Sequence, residues 1–183
     1  MKRGYAQFSM RNVAAKAGLH LANVQYYFPR RNDLVHALLL DTGERYRASY
    51  AACLEGAPSA PVERFRIILR WNMQDITTRA TRQFFIQLWA LLCVLDGHSG
   101  RLLDELYAID IAQLGERIDE MHPGLSNREI QHRATILAAM IEGLMVVRGS
   151  HSAQERAMAR LIERAFAVGV QIAHGSTNEQ EAD

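Results

Sequence analysis

Asn23 and Gln25 carry the most pointed chemistry in this chain. Each ends in a carboxamide, a donor beside an acceptor, which can pair bidentately with the edge of an adenine. They follow and precede basic side chains. Lys2, Arg3, Arg11, Lys16, Arg30 and Arg31 are six positive charges, and residues 1–31 contain no Asp or Glu. The whole chain of 183 residues is +1, so setting those six aside leaves −5 on the remainder. A near-neutral total thus hides a basic end on an acidic body, the distribution expected where a surface meets phosphates. Tyr26 and Tyr27 carry hydroxyls that can donate to a phosphate, and His20 offers an imidazole nearby. Tyr27 and Phe28 are also suited to a core.

Covalent chemistry has much thinner support. His20, His36, His98, His122, His132, His151 and His174 show no paired metal-ligand spacing, and Cys53 and Cys93 form no C-x-x-C. No glycine-rich phosphate loop and no G-x-S-x-G is present. Cys93 stands in an apolar run and reads as a small core residue. The expectation is no enzyme, no cofactor and no metal site. Two cysteines in a chain of this length are not a disulfide framework, so reduced thiols in the cytoplasm are the simpler reading. No apolar run reaches the roughly 20 residues that span a bilayer, and there is no signal-peptide h-region, so no membrane partner is expected.

The elements that would position the two amides are short. Ser9 can cap a helix, its hydroxyl accepting from an orphan first-turn N–H. Met10, Val13, Ala14 and Ala17 then fall on one helical face. Gly18 follows, where a positive φ costs glycine little, and Leu19 suits a buried turn position. A second helix from about Leu21 to Phe28 would turn Val24, Tyr27 and Phe28 inward and Leu21, Ala22, Asn23, Gln25 and Tyr26 outward. A small residue at Ala14, a glycine turn and an apolar residue in the second helix have the spacing of a helix-turn-helix. An ordinary helical hairpin is the plainer alternative.

The run AAKAGLHLANVQYYFPRRNDLVHALL resembles the TetR family of bacterial one-component transcriptional regulators. The likeness lies in Ala14, Ala17-Gly18, Leu19, the cluster Tyr26-Tyr27-Phe28, Arg31 and the Asp33-Leu34 pair opening a long helix. It covers roughly residues 4–40. The resemblance implies double-stranded DNA as partner, at a palindromic operator read by a homodimer. Contacts would come from Ser9, Met10, Arg11, His20, Leu21, Ala22, Asn23, Gln25, Tyr26, Tyr27 and Arg31, with Arg31 a phosphate clamp sharing its field with Arg30 and Lys16. It also implies a ligand-responsive repressor, in which an unknown small-molecule effector shifts the helix holding Tyr46 and Tyr50. His20 departs from the family's usual Ser or Thr cap, and Leu21 from a common Lys. The family's first helix has no counterpart before Gly4. Met10, Val13, Val24 and Phe28 would then lack a cover, and the first thirty residues are expected to be the least stable. A helical ligand-binding and dimerisation module without competent DNA binding is the rival reading.

The rest of the chain reads as all-α: 49% hydrophobic, 22% charged, four prolines and no useful strand alternation. The expected division is 1–50 for the helix-turn-helix domain, 51–175 for a ligand-binding and dimerisation body, and 176–183 for a frayed acidic tail. One long helix carries Leu34, Val35, Leu38, Leu39, Thr42, Tyr46 and Tyr50 to a break at 56–61. Helices follow from about Pro61, from Ala80 to Leu95 (apolar nearly all round, hence buried) and from Gly100 to Met121. Ser126 to Glu129 and Ser152 to Glu155 read as capping boxes for two last helices. On these, Ile136, Ala139, Met140, Gly143 and Val147, with Met158, Leu161, Ile162, Ala165, Phe166 and Gly169, form small-residue stripes. They resemble the family's four-helix dimer interface; internal packing is the alternative. The resemblance implies an effector pocket, which would draw on Trp71, Gln74, Phe84, Phe85, Gln87, Leu88, Trp89, Tyr107, Ile111, Met140 and Met145; for most of these core packing is the better reading. Glu142, inside an apolar run, faces water, meets a cationic ligand or pairs with an Arg across a dimer.

Overall fold

A computed structural model describes residues 8–93, 99–147 and 155–175. Among them are eight α-helices: α1 (Met10–Ala17), α2 (Leu21–Tyr27), α3 (Arg31–Leu54), α4 (Pro61–Asp75), α5 (Arg79–Leu92), α6 (Ser99–Met121), α7 (Asn127–Val147) and α8 (Glu155–His174). The all-helical class expected from the sequence is the fold observed. Asp96, Gly97, Gly149, the Ser152 cap and the tail from Ser176 lie outside the described residues.

The punctuation has identifiable causes. Ser9 Oγ accepts from Asn12 N at 3.2 Å, and Gly18 ends α1 at φ 69°. Asp33 Oδ2 accepts from Arg30 N at 2.9 Å and fixes the start of α3. Pro61 opens α4 at a position where the absent N–H costs nothing. Thr78 caps α5 by accepting from Thr81 N at 3.1 Å. At α7 the capping box is only half formed. Ser126 Oγ accepts from Glu129 N at 3.2 Å, but the Glu129 carboxylate turns to Arg133 Nε at 2.7 Å instead of back to the cap. Arg133 is itself buried and donates to the Ala173 carbonyl at 3.2 Å, so it ties the first turns of α7 to the last turn of α8.

The core lies among the long helices. Val35 and Leu39 of α3, Phe65, Leu69 and Met73 of α4, Leu114 and Ile118 of α6, and Leu137, Ala138 and Ile141 of α7 are all buried in it. Helix α4 turns Phe65, Ile68, Leu69, Asn72 and Met73 inward. Helix α5 is a correction. It buries Phe85, Leu88, Leu91 and Leu92 but leaves Phe84, Ile86 and Cys93 exposed. It lies at the periphery, so only one face of its apolar surface finds partners. Cys93 is not a core thiol, because at the C-cap it has rotated off that face. Helix α7 is, among the described residues, the one helix long and apolar enough to cross a membrane, which a search for uninterrupted apolar runs misses. In this fold it is a core helix, with Ala134, Leu137, Ala138, Ile141 and Met145 buried.

Candidate nucleic-acid interface and body cavity

Helices α1 and α2 pack on each other, and Ala14 and Val24 are their buried residues. The small side chain of Ala14 permits the close approach. That contact leaves Asn23, Gln25, Ala22 and Tyr26 exposed and Leu21 half-buried on the outer side of α2. Arg11, Lys16 and His20 are also exposed, and His20 makes no side-chain cap. Ser9 and Met10 are half-buried, so Ser9 serves α1 as its cap. Tyr27, which the sequence left between core and surface, is 74% exposed, its ring edge-on to Tyr26 at 5.1 Å.

Four expectations need correcting here. Leu19 is 50% exposed rather than buried, since the turn sits on the rim of the helix pair. Ala17 is exposed, and Phe28 is half-buried instead of core. Arg30 does not lend a free charge to its neighbours, because its guanidinium is paired with Asp33, Nη2 to Oδ1 at 3.0 Å. Hydrogen bonding from Arg30 holds the Asp33 carboxyl below its usual range. Arg31 folds back over the Phe8 ring, 5.4 Å from guanidinium carbon to centroid, with its Nε buried and unbonded. Phe8 in turn packs against the main core and so gives the helix pair part of a cover.

The expected interface stripes divide. Ile136, Ala139 and Val147 are exposed on α7, and a Cβ added at Gly143 would meet open space. Leu161 is exposed on α8, while Met140 and Met158 are half-buried. Ile162, Ala165, Phe166 and Gly169 instead turn into the subunit's own core. A Cβ at Gly169 would come within 2.9 Å of Leu69, and Arg70 of α4 lies over the Phe166 ring at 3.7 Å. The α8 spacing was right for a stripe, but the stripe faces α4 and α7. Val146 and Val168 join the outer apolar surface in their place.

The body holds a partly open cavity of about 40 Å³ between α3, α4, α6 and α7, with Phe85 of α5 at its wall. Thr42, Gly43, Tyr46 and Tyr50 line it from α3, Asn72 and Asp75 from α4, Tyr107, Asp110 and Gln113 from α6, and Glu142 and Met145 from α7. Of the expected pocket residues only Phe85, Tyr107 and Met145 line it. Trp89 reaches it at one remove, its Nε1 donating to the Tyr107 hydroxyl at 2.7 Å. Leu88 is core, and Ile111 and Met140 are half-buried against the core. Trp71 and Phe84 border a separate open groove of about 410 Å³. Gln74 and Trp71 line a cleft beside Arg70 and Phe166. Gln87 is exposed. The misplacement has a simple cause: the aromatics of α5 drew the expectation, whereas the polar lining comes from α3, α4, α6 and, through Glu142, α7. The readable signal was a polar residue interrupting an apolar stripe, as Asn72 and Asp110 do.

Polar groups in the wall are partly satisfied. Asp75 accepts from Tyr46 Oη at 2.6 Å and from Thr81 Oγ1 at 2.9 Å, which joins α3, α4 and α5. The Tyr50 hydroxyl lies 2.8 Å from Asn72 Oδ1 and 3.0 Å from Asp110 Oδ1, and its one proton serves one acceptor at a time. Burial raises the Tyr46 and Tyr50 hydroxyls above the usual phenol range, and Tyr107 is pushed up to about 12 by burial. Burial also raises the Asp110 carboxyl. Glu142 is pushed up to about 7, by burial first and by the nearby Asp110 charge second. Its Oε2 is buried with no hydrogen-bond partner.

A solved structure, that of a proposed transcriptional regulator from Pseudomonas aeruginosa PAO1, shares this fold with a TM-score of 0.70. The match covers 93% of this chain and 83% of that one at 18% sequence identity. At that identity the likeness is one of fold. No family model and no curated protein matches the sequence.

Proposed function

We propose that this chain is a DNA-binding transcriptional regulator of the TetR type, working in the cytoplasm as a homodimer. The observation that carries the reading is the exposed outer side of α2. Asn23, Gln25 and Tyr26 are all exposed around the side of α2 away from buried Val24, and Arg11 and Lys16 of the neighbouring α1 are exposed as well. Two such helices in a dimer would enter successive major grooves, centres about 34–36 Å apart on a palindromic site. The outer apolar face of α7 and α8 supports the dimer, and the body cavity supports a small-molecule effector. Repression, with release on effector binding, is the mode the family resemblance favours. Helix α3 supplies the mechanical link, since its first turn follows α2 and its second half lines the cavity. Effector coupling can be no larger than the ligand's differential affinity for the two arrangements.

The test is selection of genomic fragments by the purified protein, followed by binding measured against salt. The expected result is enrichment of an inverted repeat, bound by two chains, with affinity falling steeply as salt rises. Failure to enrich any sequence, at a protein concentration where the chain is dimeric, would leave only a helical binding module.

A further inference from the structure

We propose that the body cavity binds an organic monocation, a protonated amine or small quaternary ammonium, with its charge against Asp110 and Glu142 and its carbon against the surrounding rings. This deepens the reading of the body cavity as the effector site and rests on it. The wall contains three carboxyl side chains, Asp75, Asp110 and Glu142, and no Lys, Arg or His. Buried carboxylates are ordinarily paired, because an uncompensated charge out of water is costly. Asp75 has two hydroxyl donors and serves the wall. Asp110 has only a share of the Tyr50 proton, and Glu142 Oε2 has no partner at all. These two stand on adjacent helices, close enough that the charge of Asp110 hinders ionisation of Glu142. A cation between them would relieve both the missing hydrogen bonds and the mutual repulsion.

The rest of the wall selects the kind of cation. Among the described residues no group of His, Cys, Asp or Glu is placed to hold a metal ion. Tyr46, Tyr50, Phe85 and Tyr107 give instead an aromatic lining, which attracts organic cations through ring faces. The chamber of about 40 Å³ takes a compact head. The open groove of about 410 Å³ lies across Thr42, Tyr46, Asp75 and Phe85, which line both spaces, so a larger body would have to displace part of that wall.

Calorimetric titration of the full chain with butylammonium and benzylammonium, each beside its neutral alcohol, tests this. The expected result is saturable binding of at least one amine, one per chain, at least tenfold tighter than its alcohol. Glu142→Gln and Asp110→Asn should each weaken it tenfold or more, while Asp104→Asn on the exposed side of α6 leaves it unchanged. Equal binding of amine and alcohol, no saturation by either amine, or losses in Asp104→Asn matching the other two would overturn the proposal. The amine–alcohol comparison needs no variant, so a misfolded mutant does not spare it. DNA binding is scored separately on the same protein. A chain that takes up amine but no DNA keeps this site and discards the regulator; one that binds DNA but no amine does the opposite.

Discussion

Glu142 sets a pH dependence whose sign follows from its surroundings. Its carboxyl titrates near 4.5 when free in water and about 7 in the fold. Between those values the folded chain keeps a proton that the unfolded chain has released. Stability therefore falls as pH rises through that window, and the loss is complete above about pH 7. Glu142→Gln removes the term. At pH 8 the variant should be more stable than the parent by roughly 2–3 kcal/mol, at about 1.4 kcal/mol per pKa unit. At pH 4, below both values, the two should nearly coincide. Urea unfolding at both pH values measures it, and an equal gap at each would mean that the carboxyl reaches water. The sequence could not choose between the environments open to Glu142, because a single helix position does not reveal which neighbour lies opposite. Ser9 and Gly18 were legible for the contrary reason: their roles are local, fixed by a hydroxyl one turn before an orphan N–H and by a positive φ.

Among the elements, the α1–α2 turn and the outer side of α2 make separate predictions. Gly18→Ala forces a side chain into the left-handed region at φ 69° and should lower stability by about 1–2 kcal/mol. A Cβ there meets nothing within 4 Å, so the loss would be conformational and not steric. Thermal unfolding reads it; an unchanged midpoint would mean that the turn relaxes freely. Gln25→Ala should leave the fold intact and weaken a selected operator by roughly 1–3 kcal/mol while leaving random DNA unaffected. Competition binding with both DNAs decides this, and equal losses would remove Gln25 from the base-reading set. Helix positions were largely legible, since Gly, Pro and capping hydroxyls act within one turn. What each helix faced was less so. Phe84 and Ile86 are as apolar as Phe85 and Leu88, and only the peripheral place of α5 separates them. The same holds for Ile162 and Leu161, neighbours on α8 that point to opposite environments.

At the scale of the molecule, stability should be graded. In α1 and α2 the buried residues are Ala14 and Val24, whereas α4, α6 and α7 share the main core. Amide exchange is expected to be fastest in residues 10–28 and slowest in α4 and α7. Uniform protection would show that the helix pair is held by more than the Phe8 contact and the burial of Ala14 and Val24. The outer face of α7 and α8 gives a second whole-molecule test. Val147 is 78% exposed and Leu161 45% exposed, so Glu at both positions should leave the monomer's helicity unchanged. If that face is the dimer contact, sedimentation should show the variant shifted to monomer; a dimer that persists would place the contact elsewhere. The all-helical class was visible in the apolar spacing and in the absence of strand alternation. The position of the cavity was not, because it arises where four helices meet and no one of them records it.

Gly43 stands near the middle of α3, and a Cβ there would fall 2.5 Å from the Ile109 methyl of α6. The two helices therefore meet closely there, between two further contacts of the same pair, Tyr50 Oη to Asp110 Oδ1 at 3.0 Å and His36 Nε2 to Glu105 Oε2 at 3.1 Å. At 1.5 Å of rise per residue, the arm to Tyr50 is about 10 Å and the arm to Arg31 about 18 Å. With contacts on both sides of Gly43 the rod is a braced beam, so an outward push at the tyrosines would have to strain the His36–Glu105 pair before the far end moved.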